Sequence, residues 1–138
     1  MSGLVRLSLS LEKALYDSME NLVRDSGYEN RSEFIRDLIR DRMVRQEWEK
    51  NEEAVGTITL IYDHHARMLS EKITSLQHHH HREILAATHV HLDDRMCAEV
   101  VLVKGSAEEI RHIADDMRRQ KGMLHAALSM SSTGKKLS

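Results

Sequence analysis

Residues 5 to 50 change hydrophobic period once, and the change produces a segment that cannot bury a core by itself. Val5-Arg6-Leu7-Ser8-Leu9-Ser10-Leu11 alternates strictly. Val5, Leu7, Leu9 and Leu11 fall on one face and Arg6, Ser8 and Ser10 on the other, the pattern of a half-buried strand. Ala14, Leu15, Met19, Leu22 and Val23 then recur at three-to-four spacing. This predicts a helix from about Glu12 to Ser26, with Gly27 as its stop. Asn30-Arg31-Ser32 offers a new N-cap, and Glu33 sits in the first turn, where the helix dipole favours acid. A second helix follows, with Phe34, Ile35, Leu38, Ile39 and Met43 on one stripe, to about Lys50. One strand and two helices of this size are too small for a core. A lone strand also leaves both edges unpaired. Both problems disappear if two copies pair their strands as an antiparallel ribbon and pack their four helices together.

That obligate dimer is the ribbon-helix-helix arrangement, which this stretch resembles closely. Arg6, Ser8 and Ser10 then project from one face of a ribbon that fits a DNA major groove. Arginine pairs bidentately with guanine, and a serine hydroxyl can donate or accept at several base edges. The start of the second helix, near Asn30 and Ser32, is placed to hold a phosphate oxygen. Phosphate contacts should be few, because residues 1 to 50 carry nine Lys or Arg against ten Asp or Glu. The whole chain has a net charge of −2, so no global basic field advertises nucleic-acid binding. Hydrophobic residues make up 41% and charged residues 30%, a soluble globular balance. No apolar run approaches a membrane span, and the start lacks the apolar core of a signal peptide. The single cysteine cannot form an internal disulfide, so a cytoplasmic location is expected.

The rest of the chain reads as a second domain. Val55 to Tyr62 is rich in β-branched residues and predicts a strand. Asp63 is a candidate N-cap for a helix marked by Met68, Leu69, Ile73 and Leu76. Ile84 to Leu92 and Ala98 to Val103 predict two more strands around the turn Asp93 to Met96. Ser106-Ala107-Glu108-Glu109 is a capping box, followed by a helix bearing Ile110, Ile113, Ala114 and Met117. Met123 to Met130 is a last strand. The fold class is therefore α+β: a βαα ribbon-helix-helix domain over 1–50, a linker over 51–54, and a βαββαβ ferredoxin-like domain over 55–131. The second domain resembles the ACT-type sensing module. Residues 132–138 are expected to form a polar, disordered tail.

Gln77 to Cys97 holds six of the ten histidines and the only cysteine. Imidazole and thiolate are the ligands borderline transition metals prefer. On a strand His89 and His91 point the same way, about 7 Å apart by rise. Cys97 opens the next strand, so the hairpin carries its sulfur back towards them. The fourth ligand must come from elsewhere, with the run His78 to His81 as the obvious donor. Three nitrogens and one thiolate suit tetrahedral zinc, or square-planar copper(II) or nickel(II). No general acid or base falls within reach of an open coordination position, so an enzyme is not expected.

A ribbon-helix-helix N-terminus joined to a ferredoxin-like domain with Gln77-His78-His79-His80-His81, His89-Val90-His91 and Cys97 resembles the NikR family of nickel-responsive transcriptional regulators. The resemblance covers essentially the whole chain. It implies a repressor of nickel-uptake genes that binds a palindromic double-stranded operator when nickel(II) is bound. It also implies a homotetramer, two DNA-binding dimers flanking a central core of four C-terminal domains. One Ni(2+) per subunit would be held square-planar by His89, His91 and Cys97 of one subunit and His78 of a neighbour. Arg6, Ser8 and Ser10 match the family's base-reading positions, where threonines more often stand in place of the serines. A Lys-Arg pair that touches the DNA backbone in the family corresponds here to Ala66-Arg67, so only Arg67 keeps that contact. A second cation site, for K(+), would use Glu33, Asp37 and the backbone carbonyls near Arg118, Gln120 and Met123. The alternatives are a regulator of the same build answering to copper, cobalt or zinc, and a metal-binding protein without DNA binding.

Overall fold

The computed structural model describes residues 3–138. The chain divides into two compact units, Met1–Arg40 and Asp41–Ser138. In the first unit, α1 (Lys13–Asp25) ends where Gly27 adopts φ +75. The Tyr28 and Ser26 N–H groups donate back to Val23 and Leu22 carbonyls at 3.2 and 2.9 Å, so the predicted glycine stop is the observed one. Helix α2 (Arg31–Glu49) starts behind Asn30, whose Oδ1 accepts the Glu33 N–H at 2.9 Å. Phe34 packs edge-on against Tyr28 and is buried, while α1 contains no buried residue at all.

The strand expected over Val5 to Leu11 does not form in the single chain: residues 3–12 carry no regular secondary structure. A strand is a ladder, and this stretch has no second strand within its own copy to pair with. Its apolar residues lie open, with Leu7 at 70% and Leu9 at 61% exposure.

The second unit is a four-stranded antiparallel sheet in the order β2-β3-β1-β4, made by β1 (Glu53–Asp63), β2 (Ile84–His91), β3 (Met96–Ser106) and β4 (Met123–Ser131). Helices α3 (Leu69–His79) and α4 (Ala107–Arg118) complete the expected βαββαβ order. Strand β1 alternates buried with half-exposed residues, sending Ala54, Ile58, Leu60 and Tyr62 into the core. Ile110, Ile113, Ala114 and Met117 of α4 cover that face. The predicted capping box is present: Ser106 Oγ accepts the Glu109 N–H at 3.2 Å, and Glu109 Oε2 accepts the Ser106 N–H at 3.1 Å. Trp48, from the end of α2, is buried in this core and its indole N–H donates to the Ser131 carbonyl at 2.8 Å.

Two expectations change here. Helix α3 begins at Leu69, behind Met68 at φ +66, and not behind Asp63. The Asp63 carboxylate is occupied elsewhere: it accepts the His65 N–H at 2.9 Å and the Arg95 guanidinium at 2.7 Å. The C-terminal tail is ordered against the second unit. Lys136 Nζ lies 3.0 Å from Glu52 Oε2 and Lys135 Nζ 3.5 Å from Glu53 Oε1.

Candidate metal centre

Pairing of β2 with β3 places His91 opposite Cys97 and His89 opposite Glu99. Pairing of β1 with β3 places Tyr62 opposite Cys97. Directly opposed residues share a sheet face, so His89, His91, Cys97, Glu99 and Tyr62 all stand on one. The two imidazoles are neighbours, ring centres 5.1 Å apart. They lie on the sheet's edge strand and are exposed, whereas Cys97 is fully buried. The hairpin therefore does what the spacing predicts: it brings two nitrogens and one sulfur to one side of one sheet.

Three surrounding groups were not legible in the spacing. The buried Tyr62 hydroxyl sits 3.4 Å from His89 Nδ1 and donates to Glu99 Oε2 at 3.4 Å. Burial, then the nearby Glu99 charge, pushes the Tyr62 phenol well above its ordinary range, so it stays protonated and can orient both partners. His64 packs edge-on against His91, ring centres 4.9 Å apart, and its buried Nδ1 makes no hydrogen bond among the described residues. Cys97 Sγ donates to the Tyr62 carbonyl at 3.3 Å, and burial raises its thiol pKa.

His78 stands exposed on the last turn of α3, and no hydrogen bond or ring contact joins it to His89, His91 or Cys97. Among the described residues, no three His, Cys, Asp or Glu side chains of the single chain are grouped to hold a metal ion. The chemistry of the hairpin's donors nevertheless fits nickel(II): borderline imidazoles beside a thiolate source, with the Tyr62 hydroxyl against His89.

The other expected site residues fall in separate places. Arg6, Ser8 and Ser10 lie exposed in the irregular segment before α1. Asn30 is engaged as the cap of α2, with exposed Ser32 beside it. Arg67 is exposed in the turn before α3. In the first unit, Glu33 and Asp37 share a face of α2, and Asp37 accepts from the Tyr28 hydroxyl at 2.7 Å. In the second unit, the Gln120 carbonyl accepts the Met123 N–H at 3.0 Å, and the Arg118 guanidinium is bound to Asp115 and to the Ala126 carbonyl.

A ribbon-helix-helix segment followed by a βαββαβ domain with an imidazole-thiolate hairpin defines a metal-responsive, DNA-binding transcriptional regulator, and comparison with known proteins agrees. Residues 55–131 match the family model described as NikR C terminal nickel binding domain. Residues 5–46 match that described as Ribbon-helix-helix protein, copG family. A relative in Geobacter sulfurreducens, assigned by name to the nickel-responsive regulators, is 47% identical over 138 residues, covering 99% of each chain. One in Pyrococcus horikoshii, named likewise, is 46% identical over 135 residues, covering 97% of this chain and 98% of its own. An uncharacterized protein of Thermotoga maritima shares the fold at TM-score 0.52 and 12% identity, over 57% of this chain and 98% of that one. The chain belongs to the NikR family of nickel-responsive regulators. It is a regulator and not an enzyme, and no helix among the described residues is long and apolar enough to cross a membrane.

Proposed function

We propose that this regulator represses nickel-uptake genes by binding a palindromic operator in its nickel-loaded form. Each Ni(2+) would be held by His89, His91 and Cys97 of one subunit and His78 of another, one ion per subunit of a homotetramer. The observation that carries this reading is the β2–β3 hairpin, which gathers three donors on one face without completing a cage. When bound, nickel(II) would link imidazole and thiolate donors of two subunits. Everything else falls to the chain. Tyr62 and Glu99 orient His89. His78 carries the end of α3 towards a neighbouring hairpin, so holding it orders the interface. A ligand shifts an equilibrium only by its differential affinity for the states, and a shared site exists only in the state where the subunits meet.

The open apolar row Leu7, Leu9 and Leu11 supports a second copy pairing along it. Arg6, Ser8 and Ser10 would then read bases, while Asn30, Ser32 and Arg67 lie against phosphates. Two dimers tied together reach two half-sites at high effective concentration. The protein would work in the cytoplasm, where its DNA target lies.

The test is selection from random-sequence duplex DNA with and without nickel(II). We expect an inverted repeat to be enriched only in the nickel arm, and to be lost with Arg6→Ala. Equal enrichment in both arms would contradict nickel control.

A further inference from the structure

The four histidines of the run do different work. His78 is exposed on the last turn of α3. His79 is exposed beside it. His81 folds back, its N–H donating to the His78 carbonyl at 3.3 Å with Nδ1 3.1 Å from the same oxygen. His80 alone turns inward. Its N–H closes α3 by donating to the Leu76 carbonyl at 3.0 Å, and its carbonyl accepts from Glu83 and Ile84 at 3.0 and 3.1 Å. The whole turn from α3 into β2 therefore pivots on this residue.

The His80 side chain is only 13% exposed and lies against α4. Its Nε2 faces Asp116 Oδ2 at 3.6 Å but makes no hydrogen bond among the described residues. Asp116 is itself fixed. Arg119 binds its other oxygen, and His112 Nε2 approaches Oδ2 at 3.3 Å. The His80 ring meets the His112 ring edge-on at 6.2 Å and the His79 ring at 4.9 Å. Set against α4 with no hydrogen bond at Nε2, the ring joins the end of α3 to α4.

We propose that His80 is the positioning residue for His78. Its ring fixes the last turn of α3 on α4, and so presents the His78 imidazole at one place instead of along a fraying helix end. This rests on the reading above, in which His78 is a ligand to a neighbouring subunit's metal. A ligand held in place beforehand loses less freedom on binding, and residues that orient a ligand change metal affinity by on the order of ten- to a hundredfold. The inference separates His80 from its neighbours in the run: His79, nearer to His78 in sequence, is exposed and meets the His80 ring edge-on.

The test uses the full chain. Nickel(II) is titrated against a competing chelator while the thiolate-to-nickel absorption is followed, and melting of the metal-free protein is recorded alongside. We expect His80→Ala to weaken nickel binding on the order of tenfold or more and to alter the absorption band. His79→Ala should leave both unchanged. His80→Phe, which keeps a flat ring but no ring nitrogen, should restore affinity and band. Asp116→Ala, which removes the wall the ring rests on, should act like His80→Ala in the event that the latter does not fold. The proposal is overturned if His80→Ala binds nickel as tightly as the wild type and only melts earlier, or if His80→Phe is as weak as His80→Ala. Absence of a thiolate band in the wild type itself would instead remove the metal reading, and this inference with it.

Discussion

Cys97 is buried, and in the proposed centre it would have to be ionised to bind metal. Burial raises its thiol pKa, so the metal-free protein carries a proton there at neutral pH. Nickel(II) held there, as proposed, would displace that proton. Binding should therefore release a proton and weaken as pH falls, measurable by calorimetry in two buffers of different ionisation heat. Cys97→Ser should abolish the thiolate absorption. Tyr62→Phe removes the hydroxyl beside His89 and Glu99, and should weaken nickel binding on the order of tenfold while leaving the band in place. Asp63 gives an acid-side prediction. Its carboxyl is held below the usual range by the His65 N–H and then by Arg95. A depressed folded pKa contributes stability above the unfolded value, and that stability is lost as pH falls through the lowered one. Asp63→Asn should accordingly flatten the acid limb of a stability-against-pH curve. That His89, His91 and Cys97 share a sheet face was readable because strand periodicity is two and the hairpin is short. Tyr62 was not, because it reaches the site through the pairing of β1 with β3, which no local spacing announces.

At the level of elements, α4, β4 and Trp48 close tightly over Gly56 of β1. A Cβ added at Gly56 would stand 2.9 Å from Ile110 Cγ2 and 3.0 Å from Leu128 Cδ1, with Trp48 at 3.4 Å. Gly56→Ala should cost about 1–3 kcal/mol by overpacking, read by chemical denaturation. At the start of α2, Asn30→Ala removes the side-chain cap on the Glu33 N–H and should cost about 1 kcal/mol. Element order and the capping box were legible because each rests on local signals. The start of α3 was not. Asp63 has the right chemistry for a cap, but Arg95, thirty-two residues away, draws its carboxylate to the β3 side. The tail's contacts were not legible either: exposed Lys135 and Lys136 meet Glu53 and Glu52, more than eighty residues back.

The whole molecule is incomplete as one chain. The first unit buries Phe34 but leaves Leu7, Leu9, Leu15, Leu22, Leu38 and Ile39 more than half exposed. Apolar rows of that kind mark an interface, and alternation alone had signalled it: a strand with one greasy face and no partner in its own sequence. The proposed metal centre would be incomplete in the same sense: His89, His91 and Cys97 share one sheet face, and His78 is not grouped with them. The most direct measurement is subunit mixing. His78→Ala and Cys97→Ser chains are each loaded with nickel(II), alone and after unfolding and refolding together, and the thiolate-to-nickel band is recorded. A centre shared between copies predicts a defective band in each variant alone and a wild-type band reappearing in the mixture. There the Cys97→Ser chain lends its His78 to the intact hairpin of the other. A full wild-type band from His78→Ala alone, or a mixture no better than its parts, would contradict the shared centre.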